Sequence, residues 1–129
     1  MTASRLTAAQ VREALARWGL TPYLMLDRWY WSVTEDYWDL VVANTPPAEP
    51  WVEDYRDCDD ISEGFRVDTG RIYKVKPGIV INSIHAWNIV VLPDLGLRLI
   101  DAGWSIGASY VQPGKPGSLY DLAGAKVWI

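Results

Sequence analysis

The chain contains one cysteine and one histidine. Cys58 lies in Asp57-Cys58-Asp59-Asp60, inside the stretch WVEDYRDCDDISEGF from Trp51 to Phe65. His85 lies in SIHAWN, and Asp101 closes the apolar run LRLI. A thiol, an imidazole and a carboxylate in that order are the parts of a cysteine-nucleophile triad. A thiol attacks only as thiolate. A helix N-terminus supplies partial positive charge and unpaired N–H groups, and an imidazole within reach takes the proton. The imidazole in turn needs a partner that fixes its tautomer. The runs GIVINSIHAWNIVV (78–91) and LGLRLI (95–100) flank a Pro93-Asp94 turn and read as a hairpin. That hairpin sets His85 and Asp101 at roughly matching distances from the turn, within cross-strand reach. A one-residue change of register would send them to opposite faces.

Asp57, Asp59 and Asp60 work against an activated thiol, because negative neighbours favour its neutral form. They act as helix caps pointing away, or a cation offsets them. With Glu53 and Glu63 nearby, Asp59 and Asp60 could hold calcium, although the spacing is not that of a calcium loop. For the oxyanion the candidates are the Cys58 backbone N–H at a helix start and the Trp51 indole N–H. Asn82 or Asn88 could orient the imidazole or a substrate amide. The competing reading is plain: a lone cysteine is usually a small buried hydrophobe, and a lone histidine in a strand is usually structural.

The elements that must position these groups follow from the pattern. Thr7 to Trp18 is a helix, with Thr7 and Gln10 as a capping box and Leu6 and Val11 as a hydrophobic staple. Ala8, Val11, Ala14, Leu15 and Trp18 form its apolar face, and Gly19 stops it. Thr21-Pro22 is a turn, and Tyr23 to Trp31 is a short helix or a strand. Ser32 with Glu35 reads as a second capping box, opening a helix to about Ala43. Its apolar side holds Tyr37, Trp38, Leu40, Val41 and Val42. Asn44 to Pro50 is a proline loop. A further helix begins at Asp57 and Cys58, shortened by Gly64. Val67 to Lys76 is strand-like around Ile72, Tyr73 and Val75. Residues 105–117 form a Gly- and Pro-rich loop with one short strand, and Ala125 to Ile129 is a closing strand. Helices followed by an antiparallel sheet make an α+β domain.

Composition sets the outer limits. A chain of 129 residues, half of them apolar, fits one folded domain spanning 1–129. A net charge of −4 argues against a nucleic-acid surface, and with it against reading LTAAQVREALARWGL as half a helix-turn-helix. One cysteine makes no internal disulfide. The N-terminus has no apolar signal core, and no apolar run reaches the ~18 residues of a membrane span. These features point to a cytoplasmic protein. Eight tryptophans are more than a small core absorbs. Some of Trp29, Trp31, Trp38, Trp51, Trp87, Trp104 and Trp128 should be half exposed, lining a groove or interface; the competing reading is that most simply fill the core.

The chain resembles a known family at DCDD (57–60), HAWN (85–88) and LRLIDAGW (97–104), with Asp27-Arg28-Trp29-Tyr30 and Ser32 upstream. It is similar to the small papain-like proteins of bacteriophages and bacteria that share a fold with the C-terminal domain of the Marasmius oreades agglutinin. The resemblance spans roughly residues 23–104. It implies a papain-like α+β fold, N-terminal helices packed on a small antiparallel sheet. It implies a cysteine hydrolase of peptidase or amidase type, with Cys58 as nucleophile, His85 as general base and then acid, and Asp101 orienting His85. Trp51 would serve the oxyanion hole, and calcium would be needed. Two departures stand out. The carboxylate is Asp101 in IDAG where the family has Glu-Pro, and no lectin domain precedes it. The alternatives are a non-catalytic phage structural or binding module, in the host cytoplasm or virion, and a cell-wall amidase that would cleave peptidoglycan stem peptides. The enzyme reading expects a peptide or amide substrate and no cofactor other than calcium.

Overall fold

The computed structural model describes residues 3–25, 27–46, 58–103 and 107–129. Among these residues, eight strands and three helices follow in the order β1 (Ala3–Thr7), α1 (Ala8–Ala16), β2 (Pro22–Leu24), β3 (Trp29–Val33), α2 (Glu35–Asn44), α3 (Cys58–Tyr73), β4 (Gly78–Ile81), β5 (Ala86–Val91), β6 (Leu97–Asp101), β7 (Ser109–Val111) and β8 (Lys126–Trp128). The fold is α+β.

α1 forms as its local sequence dictates. The Thr7 hydroxyl accepts from the Gln10 N–H, and the Gln10 side chain accepts from the Thr7 N–H. The helix ends with Gly19 at φ 72°, the Gly19 N–H on the Ala16 carbonyl and the Leu20 N–H on the Leu15 carbonyl. Those two bonds satisfy carbonyls that a helix end leaves open. Leu6, Val11, Leu15 and Leu20 are all buried in one core cluster.

Six strands form the main sheet, in the order β2-β8-β4-β5-β6-β7, and β1 pairs with β3 in a separate ribbon. The expected antiparallel sheet is therefore mixed, because the closing strand β8 inserts parallel beside β2 and antiparallel beside β4. The central strand β5 is buried throughout, and its two faces feed two cores. Trp87, Ile89 and Val91 join Leu97, Leu99 and the α1 residues on one side. Val90 joins Ile100, Trp38 and Val41 of α2 and Phe65 of α3 on the other. The sheet is thus covered on both faces, with α1 on one and α2 and α3 on the other.

Three local expectations are corrected. Ser32 does not cap α2: it lies in β3, buried, and its hydroxyl donates to the Val91 carbonyl at 2.6 Å. Thr34 holds the N-cap position without a side-chain bond. Residues 67–73 are not strand but the second half of α3, which runs through Gly64 and Gly70 to Tyr73. Its buried positions are Ser62, Phe65 and Thr69, so two small polar residues disguise the apolar stripe. Lys74 at φ 62° ends it. Finally, the single strand expected over 78–91 is a hairpin, folded by a turn at 82–85 in which the Asn82 N–H donates to the His85 carbonyl. Of the tryptophans, Trp38 and Trp87 are buried, whereas Trp29 and Trp31 are exposed. Trp51 and Trp104 lie outside the described residues. Among those residues, no helix is long and apolar enough to cross a membrane.

Candidate active site

Cys58, His85 and Asp101 line one cavity of about 190 Å³ with Ser62, Ala86 and Gly103. It lies where β5 begins and β6 ends, against the start of α3. Cys58 is half-buried and is the first residue of that 16-residue helix. The N-terminal end of that helix, whose first N–H groups have no intrahelical acceptor, therefore borders the cavity. The buried Asn88 side chain fixes this approach by donating to the Ser62 carbonyl of α3 and the Gly78 carbonyl of β4, both at 3.1 Å. Asn88 is thus a tie between helix and sheet, not an orienter of the imidazole.

His85 and Asp101 meet through the sheet register. β5 and β6 pair with Asn88 opposite Ile100 and Val91 opposite Leu97. Continuing that register sets Trp87 opposite Asp101 and His85 diagonal to it on the same face. His85 Nε2 lies 2.8 Å from Asp101 Oδ2, and both side chains are largely buried. A carboxylate only accepts, so Nε2 carries the proton and Nδ1 of the neutral ring is left as the base. The ring stacks on Trp87 at 5.7 Å with 14° between planes, and Tyr120 meets it edge-on at 5.5 Å.

Asp101 is held by three donors. His85 and the Tyr120 hydroxyl, at 2.6 Å, share Oδ2, and the Gly103 N–H, at 2.9 Å, takes Oδ1. Burial pushes the carboxyl pKa up, but these hydrogen bonds and the imidazole outweigh it, and the net shift is downward. Tyr120 is shifted the other way: burial, then its bond to Asp101 and that group's charge, hold its proton on. Gly103 sits at φ 64°, and a Cβ there would fall 2.3 Å from the Gly107 carbonyl oxygen. Glycine is thus needed for the chain to turn back and donate.

Tyr120 was not among the residues the sequence singled out. It lies in GKPGSLYDL, whose turn residues mark only a loop, and no spacing links it to His85. Asn82 makes that link. Its carbonyl oxygen accepts from the N–H groups of Ile84 and His85, and its amide donates to the carbonyls of Leu119 and Asp121. One side chain therefore joins the turn carrying His85 to the loop carrying Tyr120. Asn82 positions the histidine backbone, not its ring.

Because Asp101 has a lowered pKa when folded, its charged network adds stability that is full above the ordinary Asp value of about 3.9. That stability is lost as pH falls through the depressed folded value. Tyr120→Phe removes one donor and brings the folded pKa back toward the ordinary one. The stability gap between wild type and Tyr120→Phe should be widest above about pH 4 and should narrow below it. Urea midpoints measured from pH 2.5 to 7 test this, and a gap independent of pH would refute it.

Trp51, the expected oxyanion donor, lies outside the described residues, as do Glu53 and Asp57. Asp59 and Asp60, the candidate calcium ligands, are exposed on the first turn of α3, where negative charge suits the helix dipole. Among the described residues no group of three potential ligands comes together. No protein-family model matches this chain, and no curated protein matches it.

Proposed function

We propose that this chain is a papain-like cysteine hydrolase that cleaves a peptide or amide by acyl transfer through a Cys58 thioester. The observation that carries the reading is the 2.8 Å His85–Asp101 bond in the cavity that Cys58 also lines. The papain-like assignment rests on the same arrangement, a nucleophile opening a long helix packed against the strand that follows the histidine. His85 Nδ1 takes the thiol proton as Sγ attacks the carbonyl carbon. The imidazolium gives that proton to the departing amine. A water then attacks the thioester while Nδ1 accepts its proton, and the released thiolate is reprotonated. Asp101 keeps the ring in one tautomer, and Tyr120 is a positioning residue that holds Asp101. The Cys58 backbone N–H at the start of α3 is the oxyanion donor this reading assigns. A single thiol at such a site fits a reducing compartment such as a cytoplasm.

The test is the rate at which iodoacetamide alkylates Cys58 between pH 4 and 9, with and without calcium. A free thiol of pKa about 8.5 is only ~0.3% thiolate at pH 6. An ion pair with His85 should label about tenfold faster or more at that pH, even though thiolates of lower pKa are weaker nucleophiles. His85→Ala should abolish the excess. Labelling at the free-thiol rate under every condition would sink the proposal.

One observation favours a second reading, a non-catalytic binding module. Trp29 and Trp31 lie two residues apart on one face of β3 and are 45% and 62% exposed, and the Arg5 guanidinium lies 4.3 Å from the centre of the Trp29 ring. If that face is the functional one, Trp31→Ala should abolish the biological effect while Cys58→Ala preserves it. The enzyme reading expects the reverse.

A further inference from the structure

The cavity around Cys58, at about 190 Å³, is smaller than the ~300–1,000 Å³ in which proteins usually enclose a ligand. It admits the reacting amide and little of the groups beside it, so recognition must use adjoining space. Two larger cavities flank α3. One, of about 320 Å³ between α3 and the β2–β8–β4 side of the sheet, shares no lining residue with the thiol cavity. The other, of about 480 Å³, opens between the end of α2 and α3 and shares both Ile61 and Ala102 with it.

We propose that this larger cavity is the specificity subsite of the hydrolase, and that it takes a bulky, uncharged apolar side chain of a peptide substrate. The inference rests on the cysteine-hydrolase reading above. Phe65 and Ala102 are buried and supply an apolar floor, while the charged lining residues Asp60, Asp68 and Arg71 are exposed at its rim, with Arg71 3.7 Å from Asp68. A charged substituent would lose its water at that floor without gaining a partner, which is costly. A leucine- or phenylalanine-sized group gains by leaving water.

Gly64 makes the proposal testable. It lines the cavity at a mid-helix position, and a Cβ there meets nothing within 4 Å. Gly64→Leu therefore adds a bulky side chain to the cavity lining with no clash at its Cβ, and raises helix propensity. Ile72→Glu is a second variant, since Ile72 lines the same cavity, is 59% exposed and tolerates a polar side chain.

The experiment compares alkylation of Cys58 by three probes: iodoacetamide, N-methyl iodoacetamide and N-phenethyl iodoacetamide. In the wild type the phenethyl probe should label about tenfold faster or more than the methyl probe, the scale on which apolar pockets discriminate. Both variants should bring the two probes close to parity and leave the iodoacetamide rate unchanged, with thermal melts verifying the fold. Fast iodoacetamide labelling with equal rates for the two substituted probes in wild type overturns the subsite alone. So does a phenethyl preference that survives both variants. Slow labelling by all three probes overturns the cysteine-hydrolase reading, and the subsite with it.

Discussion

On the proposed hydrolase reading, Asp101→Asn is expected to lower turnover by about 10⁴-fold, the scale of the matching change in serine-protease triads, while leaving the protein folded. Each carboxylate oxygen is already assigned. Oδ2 accepts from His85 and Tyr120, and Oδ1 accepts from the Gly103 N–H. An amide has one acceptor oxygen and one donor NH₂. If the oxygen faces His85 and Tyr120, the NH₂ confronts the Gly103 N–H, donor against donor. If it faces Gly103, the NH₂ confronts the imidazole and favours the tautomer with its proton on Nδ1, which can no longer act as base. Only the first orientation keeps the ring in the state that accepts the thiol proton, and there the donor clash at Gly103 works against it. The kinetic readout should be a fall in kcat with KM little changed, since Asp101 is not expected to touch substrate. Iodoacetamide labelling at pH 6 should fall in parallel. An Asp101→Asn enzyme with wild-type turnover would remove Asp101 from the mechanism, and a fall in turnover with unchanged labelling would restrict its role to later steps.

Trp87→Ala should destabilise the fold by about 3–5 kcal/mol, the range for deleting a large buried aromatic side chain. Trp87 is fully buried on β5, and its ring lies beneath His85 and edge-on to Tyr120 at 5.5 Å. Removing it opens a cavity under the imidazole and withdraws a wall from Tyr120, so stability and the His85–Asp101 geometry suffer together. The indole N–H is buried and has no hydrogen-bond partner among the described residues. An unpaired buried donor costs about 1–3 kcal/mol. Trp87→Phe deletes that donor while keeping a ring, so it should lose much less than half of what Trp87→Ala loses. Urea unfolding at constant m-value gives both numbers. Equal losses in the two variants would mean that the indole N–H finds a partner after all, or that packing alone decides the site.

The legibility of this fold in its sequence follows the range of each interaction. α1 could be read residue by residue, because its capping box and its glycine stop are closed by groups three to five positions apart. The hairpin around Pro93-Asp94 was equally visible, and from it the His85–Asp101 pairing. The real register makes that pair diagonal instead of opposite, and since the diagonal shares a face the pairing survives. The second half of α3 was misread for the converse reason. Ser62 and Thr69 are buried polar residues whose place is set by contact with the sheet, and no local pattern announces it. Ser32 looked like a cap because its glutamate was three positions away, but the hydroxyl is satisfied by Val91, 59 positions off.

The sequence alone determined the chemical inventory of the site: one thiol, one imidazole, a carboxylate at a strand end, and strands short enough to bring the last two together. Only the tertiary structure decided how that inventory is held. It placed the thiol at a helix start on the cavity that the imidazole also lines, added Tyr120 to Asp101, and made Asn82 the tie between the turn carrying His85 and the loop carrying Tyr120. These are long-range contacts, and each is fixed by the burial of polar groups that must find partners wherever the packed chain supplies them. Residue order along the chain does not record that supply.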